Sequence, residues 1–191
     1  MRLLKKEGNS FYLALGVVYL EHLCSRLTSI PEFEYFIRRL DILYQDSTLS
    51  SVPDVIYFIE SCTNLLRIKI SFTSATDPLQ DYFNDVKFVR GMVIALRNLS
   101  VKYIEMAFGD VAFRGMFRGN VIDRIRHYGV EAEKEEYLAI AYAFGVSVRV
   151  VTIGNEMKWE KYEPGDTYVS TLIDTLNING QHDILYTKQG H

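Results

Sequence analysis

Apolar residues recur at helical spacing through the first two thirds of the chain. This spacing predicts a helix over residues 11–27, with Asn9 or Ser10 placed to cap its first amides. Further helices are predicted from Pro31 to about residue 44 and over residues 53–64, 87–98 and 101–108. Residues 66–72 alternate apolar with polar side chains, a pattern that fits either an edge strand or a continued helix.

The last third of the chain changes to short, strand-like patterns. Residues 133–144 predict one more helix, which Gly145 ends. Residues 146–153 alternate and are rich in β-branched side chains, and shorter strands are predicted over residues 157–162, 167–172 and 183–186. Helices followed by strands predict an α+β fold, with a small sheet built mainly from the C-terminal third. The 191 residues contain no linker-like stretch, so we expect a single domain over residues 1–191.

Charge and composition exclude several classes of function. The net charge of -3 and the pI of about 5.8 do not indicate direct nucleic-acid binding. Four arginines nevertheless lie close together and fit either a local basic patch or, as we prefer, a solvated helix surface; they are Arg114, Arg118, Arg124 and Arg126. No zinc-type spacing, P-loop or dinucleotide fingerprint occurs, so we expect no metal and no cofactor.

The two cysteines and the absence of targeting signals bear on location. Cys24 and Cys62 lie in apolar surroundings without metal-ligand spacing, which predicts two unpaired thiols in a reducing compartment. No run of eighteen apolar residues and no signal peptide are present. We therefore expect no membrane association and a cytoplasmic, or alternatively nuclear, protein.

Three motifs occur in order along the chain. They are EGNSFYLA at residues 7–14, EYLAIAYAFGVSVRV at residues 136–150 and GQHDILY at residues 180–186. Together they resemble the ovarian-tumour (OTU) family of cysteine proteases, in its otubain branch. The family writes the first motif Asp-Gly-Asn-Cys-Phe-Tyr-Arg-Ala and the last Gly-His-Tyr-Asp-Ile-Leu-Tyr. The resemblance implies a papain-type α+β fold from about residue 7 to about residue 187 and a family activity of cleaving ubiquitin chains.

The resemblance also marks the positions that carry the family's chemistry. The nucleophilic cysteine is replaced by Ser10, and Glu7, Gly8 and Asn9 form the loop that orients the oxyanion-binding amides. The final motif places Gln181 at the position of the catalytic histidine, with His182 one residue later and Asp183 after it. These degenerate positions are the candidate catalytic site: Ser10, His182 and Asp183.

Several departures argue against that chemistry. A hydroxyl needs a base during attack, and side chains on a strand alternate faces, so His182 would point away from Ser10 and Asp183 away from His182. A one-residue bulge at Gly180 would restore the geometry. The alternative interpretations are that Ser10 caps a helix and that His182 is a packing or surface histidine.

We therefore expect a catalytically inactive, OTU-like protein-binding module. Its partner would be ubiquitin-related or a large assembly such as the proteasome or the ribosome. The alternative is an active otubain-type deubiquitinase, or one inactivated by a deliberate Cys-to-Ser change. Glu7 for Asp and Leu13 for Arg are further departures, which favour natural loss of activity. Only six residues precede Glu7, so we expect one ubiquitin-binding surface of the family to lack a counterpart.

Overall fold

The structure of the chain is a computed structural model. The structure describes residues 8–25, 28–45, 49, 51–71, 79–107, 121–153, 156–163, 172–178 and 181–184. It contains two compact units, which we call the sheet unit (Met1–Leu15 with Ser100–His191) and the helical unit (Gly16–Leu99). The boundary between them falls within two helices.

Seven helices lie among the described residues: α1 Ser10–Cys24, α2 Ile30–Tyr44, α3 Pro53–Ser71, α4 Leu79–Asn84, α5 Val86–Ala107, α6 Val121–Arg126 and α7 Lys134–Phe144. Ser29 caps α2, because its side chain accepts a hydrogen bond from the backbone N–H of Glu32. The predicted break near residue 99 is wrong, since α5 is continuous there. No glycine or proline interrupts residues 92–107, so the i to i+4 hydrogen bonds continue.

Helix α3 resolves the ambiguous stretch after residue 64. It continues to Ser71 as a helix, while Phe72 lies outside the described residues. Lys69 in its last turn donates to the carbonyl oxygens of Leu23 (2.6 Å) and Ser25 (2.7 Å) at the end of α1. The last turn of α3 therefore satisfies carbonyls that α1 leaves open.

The sheet unit contains four strands: β1 Ser147–Ile153, β2 Met157–Tyr162, β3 Leu172–Ile178 and β4 Gln181–Ile184. Their order is β2-β1-β3-β4. β1 pairs antiparallel with β2 and parallel with β3, and β3 pairs antiparallel with β4. The α+β prediction is confirmed, as are the first two strands to within a residue.

Two strand predictions fall partly on residues outside the described part of the chain. β3 begins where the predicted strand over residues 167–172 ends, and residues 167–171 lie outside the described part. β4 begins at Gln181 rather than at residue 183, and residues 185 and 186 are not described. Gly145 ends α7 as predicted, in the left-handed conformation with φ of 63°.

The two faces of the β1–β2 hairpin differ in exposure at its turn end. Val148 and Val150 of β1 are buried on the face that packs against α7. Ile153, Met157 and Trp159 are exposed. Because side chains alternate along each strand, Val148 and Val150 share the face toward α7, whereas Ile153 lies on the opposite face.

The remaining predictions concern charge, thiols and membrane spans. Arg124 forms ion pairs with Glu133 and Glu136, and Arg126 pairs with Glu105; Arg114 and Arg118 lie outside the described residues. Cys24, half-buried, and Cys62, buried, form no disulfide, as the sequence predicted. Within the described ranges, no helix combines the length and apolar character needed to cross a bilayer.

Candidate functional site

The site begins at the loop that precedes α1. Gly8 has φ of +65°, and a Cβ at this position would lie 1.8 Å from the carbonyl oxygen of Gly129. Any other residue would therefore be strained and would also collide with the facing loop. Asn9 is buried, and its side-chain Oδ1 accepts a hydrogen bond from the Gly129 N–H at 3.0 Å. The Asn9 carbonyl accepts from the N–H of Leu13 (3.0 Å), so α1 starts from a loop that is anchored on its neighbour.

The hydroxyl of Ser10 lies between two groups of the sheet unit. It donates to Oε2 of Glu131 at 3.1 Å and accepts from the backbone N–H of His182 at 2.8 Å. The interpretation of Ser10 as a helix cap is wrong, because neither partner belongs to the first turn of α1. Its role here is to join the start of α1 to β4 and to the loop before α7.

Sequence reasoning did not find Glu131. Three further glutamates follow it within five residues, at 133, 135 and 136, so nothing in the sequence distinguishes it. Its contact with Ser10 spans 121 residues along the chain. The segment is held by Glu136, whose buried carboxylate accepts from the Glu133 N–H (2.7 Å) and from Arg124 (3.0 Å). This reciprocal contact starts α7 and so places Glu131 just before it.

The imidazole of His182 is only 4% exposed. Its Nε2 lies 2.8 Å from the hydroxyl of Tyr137 and 3.2 Å from Nδ2 of Asn177. The rings of Phe11 and Tyr137 meet it edge-on, at centroid distances of 5.3 and 5.4 Å. Its Nδ1 is buried and has no hydrogen-bond partner among the described residues. Within that same part of the chain, neither ring nitrogen is hydrogen-bonded to Ser10.

Burial also determines the protonation of this histidine. Removal from water disfavours the charged imidazolium and lowers the pKa of His182 from 6.5 to about 4. The ring is therefore neutral near pH 7. The phenol of Tyr137, which donates to the Ala132 carbonyl at 2.9 Å, has its pKa raised mainly by the same burial.

The other candidate residues do not join this cluster. Asp183 is exposed, and its Oδ1 accepts from the backbone N–H of Ile184 at 2.8 Å. Gln181 begins β4, where it is paired with Ile178. Glu7 lies outside the described residues. The structure thus brings Gly8, Asn9, Ser10 and His182 together and leaves Asp183 apart.

The cluster offers a limited set of reactive groups. The Ser10 proton is directed at a carboxylate, and Nε2 of the nearby imidazole contacts a phenol and an amide. No group of three or more metal-ligating side chains occurs within the described ranges. The arrangement holds the serine in place by polar contacts and does not present it to an imidazole base.

Comparison with known proteins places this geometry in a known fold. No protein-family model matches the chain, and no curated protein matches it. Among solved structures, it is similar to a complex of h/ceOTUB1 with ubiquitin aldehyde and UBCH5B~Ub, with a TM-score of 0.73 and 16% identity over 98% of this chain and 76% of that chain. It is also similar to a complex of ceOTUB1 with ubiquitin aldehyde and UBC13~Ub, with a TM-score of 0.72 and 17% identity over 98% and 79% of the two chains.

These likenesses define a class by its fold. The chain has the OTU fold, in the form seen in otubain structures. The resemblance stated from the three motifs is thereby confirmed at the level of fold. Sequence identity of 16–17% supports similarity of fold only. The chemistry of the site is therefore inferred from the geometry of this chain.

Proposed function

We propose that this chain is an OTU-fold protein-binding module that does not cleave ubiquitin chains. The observation that carries the proposal is the separation of the Ser10 hydroxyl from the His182 ring. The hydroxyl is bound to Glu131 and to a backbone amide, whereas the ring is bound to Tyr137 and Asn177. A general base has to reach the proton that it removes, and its loss lowers rates by about 10²–10⁴-fold.

The burial of His182 supports the same conclusion. A base that accepts the nucleophile's proton becomes an imidazolium ion during the reaction. Because the pKa is about 4 rather than 6.5, protonating this ring costs roughly 3 kcal/mol more than protonating an exposed histidine. Asp183, exposed and bound to its own neighbour, offers that ion no stabilising contact.

Ubiquitin is the first partner to test. The otubain structures of similar fold are complexes with ubiquitin aldehyde and with UBCH5B~Ub or UBC13~Ub, and the shared fold makes a related surface the simplest origin of binding. A large protein assembly such as the proteasome or the ribosome is the second partner class. Direct nucleic-acid contact is not part of the proposal, since the net charge is -3.

The alternative function is a deubiquitinase whose cysteine has been changed to serine. One observation favours it: Ser10 is the first residue of a 15-residue helix and accepts a backbone amide hydrogen bond. A thiol at this position would gain thiolate character from the helix N-terminus. Introducing a cysteine at position 10 distinguishes experimentally between the two functions.

The activity experiment compares the wild-type chain with Ser10→Cys, with Ser10→Cys/Gln181→His and with the triple variant that adds Glu7→Asp. Each is incubated with a panel of ubiquitin dimers and with a ubiquitin electrophile that captures active-site thiols. Ser71→Cys, at the exposed end of α3, controls for non-specific labelling. We expect no cleavage by the wild type or by Ser10→Cys. Efficient cleavage by Ser10→Cys alone would establish the deubiquitinase instead.

The binding experiment is independent of catalysis. Isotope-labelled ubiquitin is titrated with the wild-type chain, and saturable shifts in its NMR spectrum are expected. If the spectrum does not change, proteins that co-purify with the native chain are identified by mass spectrometry. Absence of both ubiquitin binding and a stoichiometric co-purifying protein would refute the binding function.

A further inference from the structure

The open face of the β1–β2 hairpin carries large apolar side chains. Trp159 is 66% exposed, Met157 72% and Ile153 42%. In the hairpin register Val151 lies opposite Trp159 and Ile153 opposite Met157, so these side chains share one face. An exposed apolar cluster on a strand is a feature of interaction surfaces.

Strand β2 is also an edge of the four-stranded sheet that the described residues form. Every residue of β2 except Tyr162 is exposed. Along an edge strand, every second residue points its N–H and C=O groups outward, where they are open to another strand. Most proteins protect such edges, so the exposed tryptophan and methionine indicate that a binding partner covers this strand.

The charged residues of β2 in one copy of the chain can pair with those of β2 in a second copy. Lys158 and Glu160 flank Trp159 on either side. When two identical edge strands pair antiparallel, residues whose N–H and C=O groups point outward have to face each other. One strand can therefore shift along the other only by two residues at a time, which moves the centre of the pair by one residue. With Trp159 opposite the second copy's Trp159, each Lys158 lies opposite a Glu160, twice per interface.

The neighbouring registers are unfavourable. Centring the pair on Lys158 sets lysine against lysine, and centring it on Glu160 sets glutamate against glutamate. Like charges directly opposite each other destabilise a strand pair, whereas unlike charges and aromatic pairs stabilise it. The Trp159-centred register therefore combines both favourable terms.

We propose that two copies of this chain associate through β2, antiparallel and centred on Trp159, to form one continuous sheet. Lys158 forms no ion pair with a described residue. Glu160 binds Lys134 through Oε1 (2.5 Å) and the Tyr162 hydroxyl through Oε2 (2.8 Å). A carboxylate has about four acceptor sites, so Glu160 retains capacity for the second copy's lysine.

The test uses charge reversal. Sedimentation velocity measures the dimer dissociation constant of the wild type, Lys158→Glu and Glu160→Lys. Each single reversal converts two unlike pairs into two like pairs and weakens the dimer by about ten-fold or more. Matched reversals on the exposed surface of α3, Arg67→Glu and Glu60→Lys, leave association unchanged.

Mixing the two β2 variants tests the register itself. In an equimolar mixture of Lys158→Glu with Glu160→Lys, each chain faces unlike charges on the other, so a heterodimer forms at near wild-type affinity. The double variant Lys158→Glu/Glu160→Lys also recovers self-association. A mixture that associates no better than its components overturns the register.

The protein contains one tryptophan, so its fluorescence reports directly on the centre of the interface. Emission should shift to longer wavelength on dilution of the wild type, as Trp159 becomes exposed. Circular dichroism verifies that Glu160→Lys folds without its Lys134 contact, and Trp159→Glu, at an exposed position, provides a second monomeric variant. A wild type that stays monomeric to about 1 mM overturns the proposal, as does a dimer that Trp159→Glu leaves intact.

Discussion

Replacement of His182 by glutamine should remove a pH dependence of stability that the wild-type chain carries. Folding buries this imidazole between Phe11 and Tyr137 and lowers its pKa from 6.5 to about 4. The unfolded chain therefore binds a proton more readily than the folded chain does. Stability consequently falls as the pH drops from 6.5 to about 4, and this contribution is constant outside that window. Glutamine retains hydrogen-bonding groups for Tyr137 and Asn177 but does not titrate.

The size of the effect follows from the shift. Each pH unit between the two pKa values changes the free energy of unfolding by 1.36 kcal/mol, so the full window corresponds to roughly 3 kcal/mol. Between pH 6.5 and about pH 5 the expected change is about 2 kcal/mol. Carboxylates that titrate in the same range affect the wild type and the variant alike, so the difference between the two proteins isolates His182.

Urea denaturation at a series of pH values from about 7.5 to about 4.5 measures this difference. The wild type should lose about 2.5 kcal/mol relative to His182→Gln over this pH range. His127→Gln, at an exposed position, is the matched control and should follow the wild type. NMR titration of the His182 ring should give a midpoint near pH 4. Parallel stability curves for wild type and His182→Gln, or a midpoint near 6.5, would refute the reasoning.

Three further outcomes follow from the described contacts. Gly8→Ala should destabilise the protein by several kcal/mol in thermal unfolding, because it adds left-handed strain to a collision with the facing loop; an unchanged melting temperature would contradict this. Ser10→Ala should cost about 1–3 kcal/mol in urea denaturation, since it leaves the Glu131 carboxylate and a backbone amide without this partner, whereas Ser10→Thr keeps the hydroxyl and should cost less. Titration of unfolded, unreduced protein should find both Cys24 and Cys62 free, and in the native state Cys62 should react slowly because burial raises the pKa of its thiol.

Local pattern and motif order were sufficient for the fold class and for several of its elements. The β-branched alternation of β1, the helix before it and the left-handed Gly145 between them depend on residues that are neighbours in sequence. Helical periodicity also located α2 within two residues at its start. It could not decide between helix and strand over residues 66–71, because alternating apolar residues satisfy both periods when the run is short. Packing of α3 within the helical unit decided that question.

For the candidate site, too, the sequence predicted some features and the tertiary structure determined the others. The sequence alone identified the loop Gly8-Asn9-Ser10 and selected His182, although it began the final strand one residue after this histidine. It separated Asp183 from the imidazole as a hypothesis about alternating faces. The tertiary structure decided what those side chains contact. Ser10 meets Glu131 across 121 residues, and His182 is buried by rings from α1 and α7. Contacts of this range depend on how loops and strands from distant segments pack together, so no local pattern of residues specifies them.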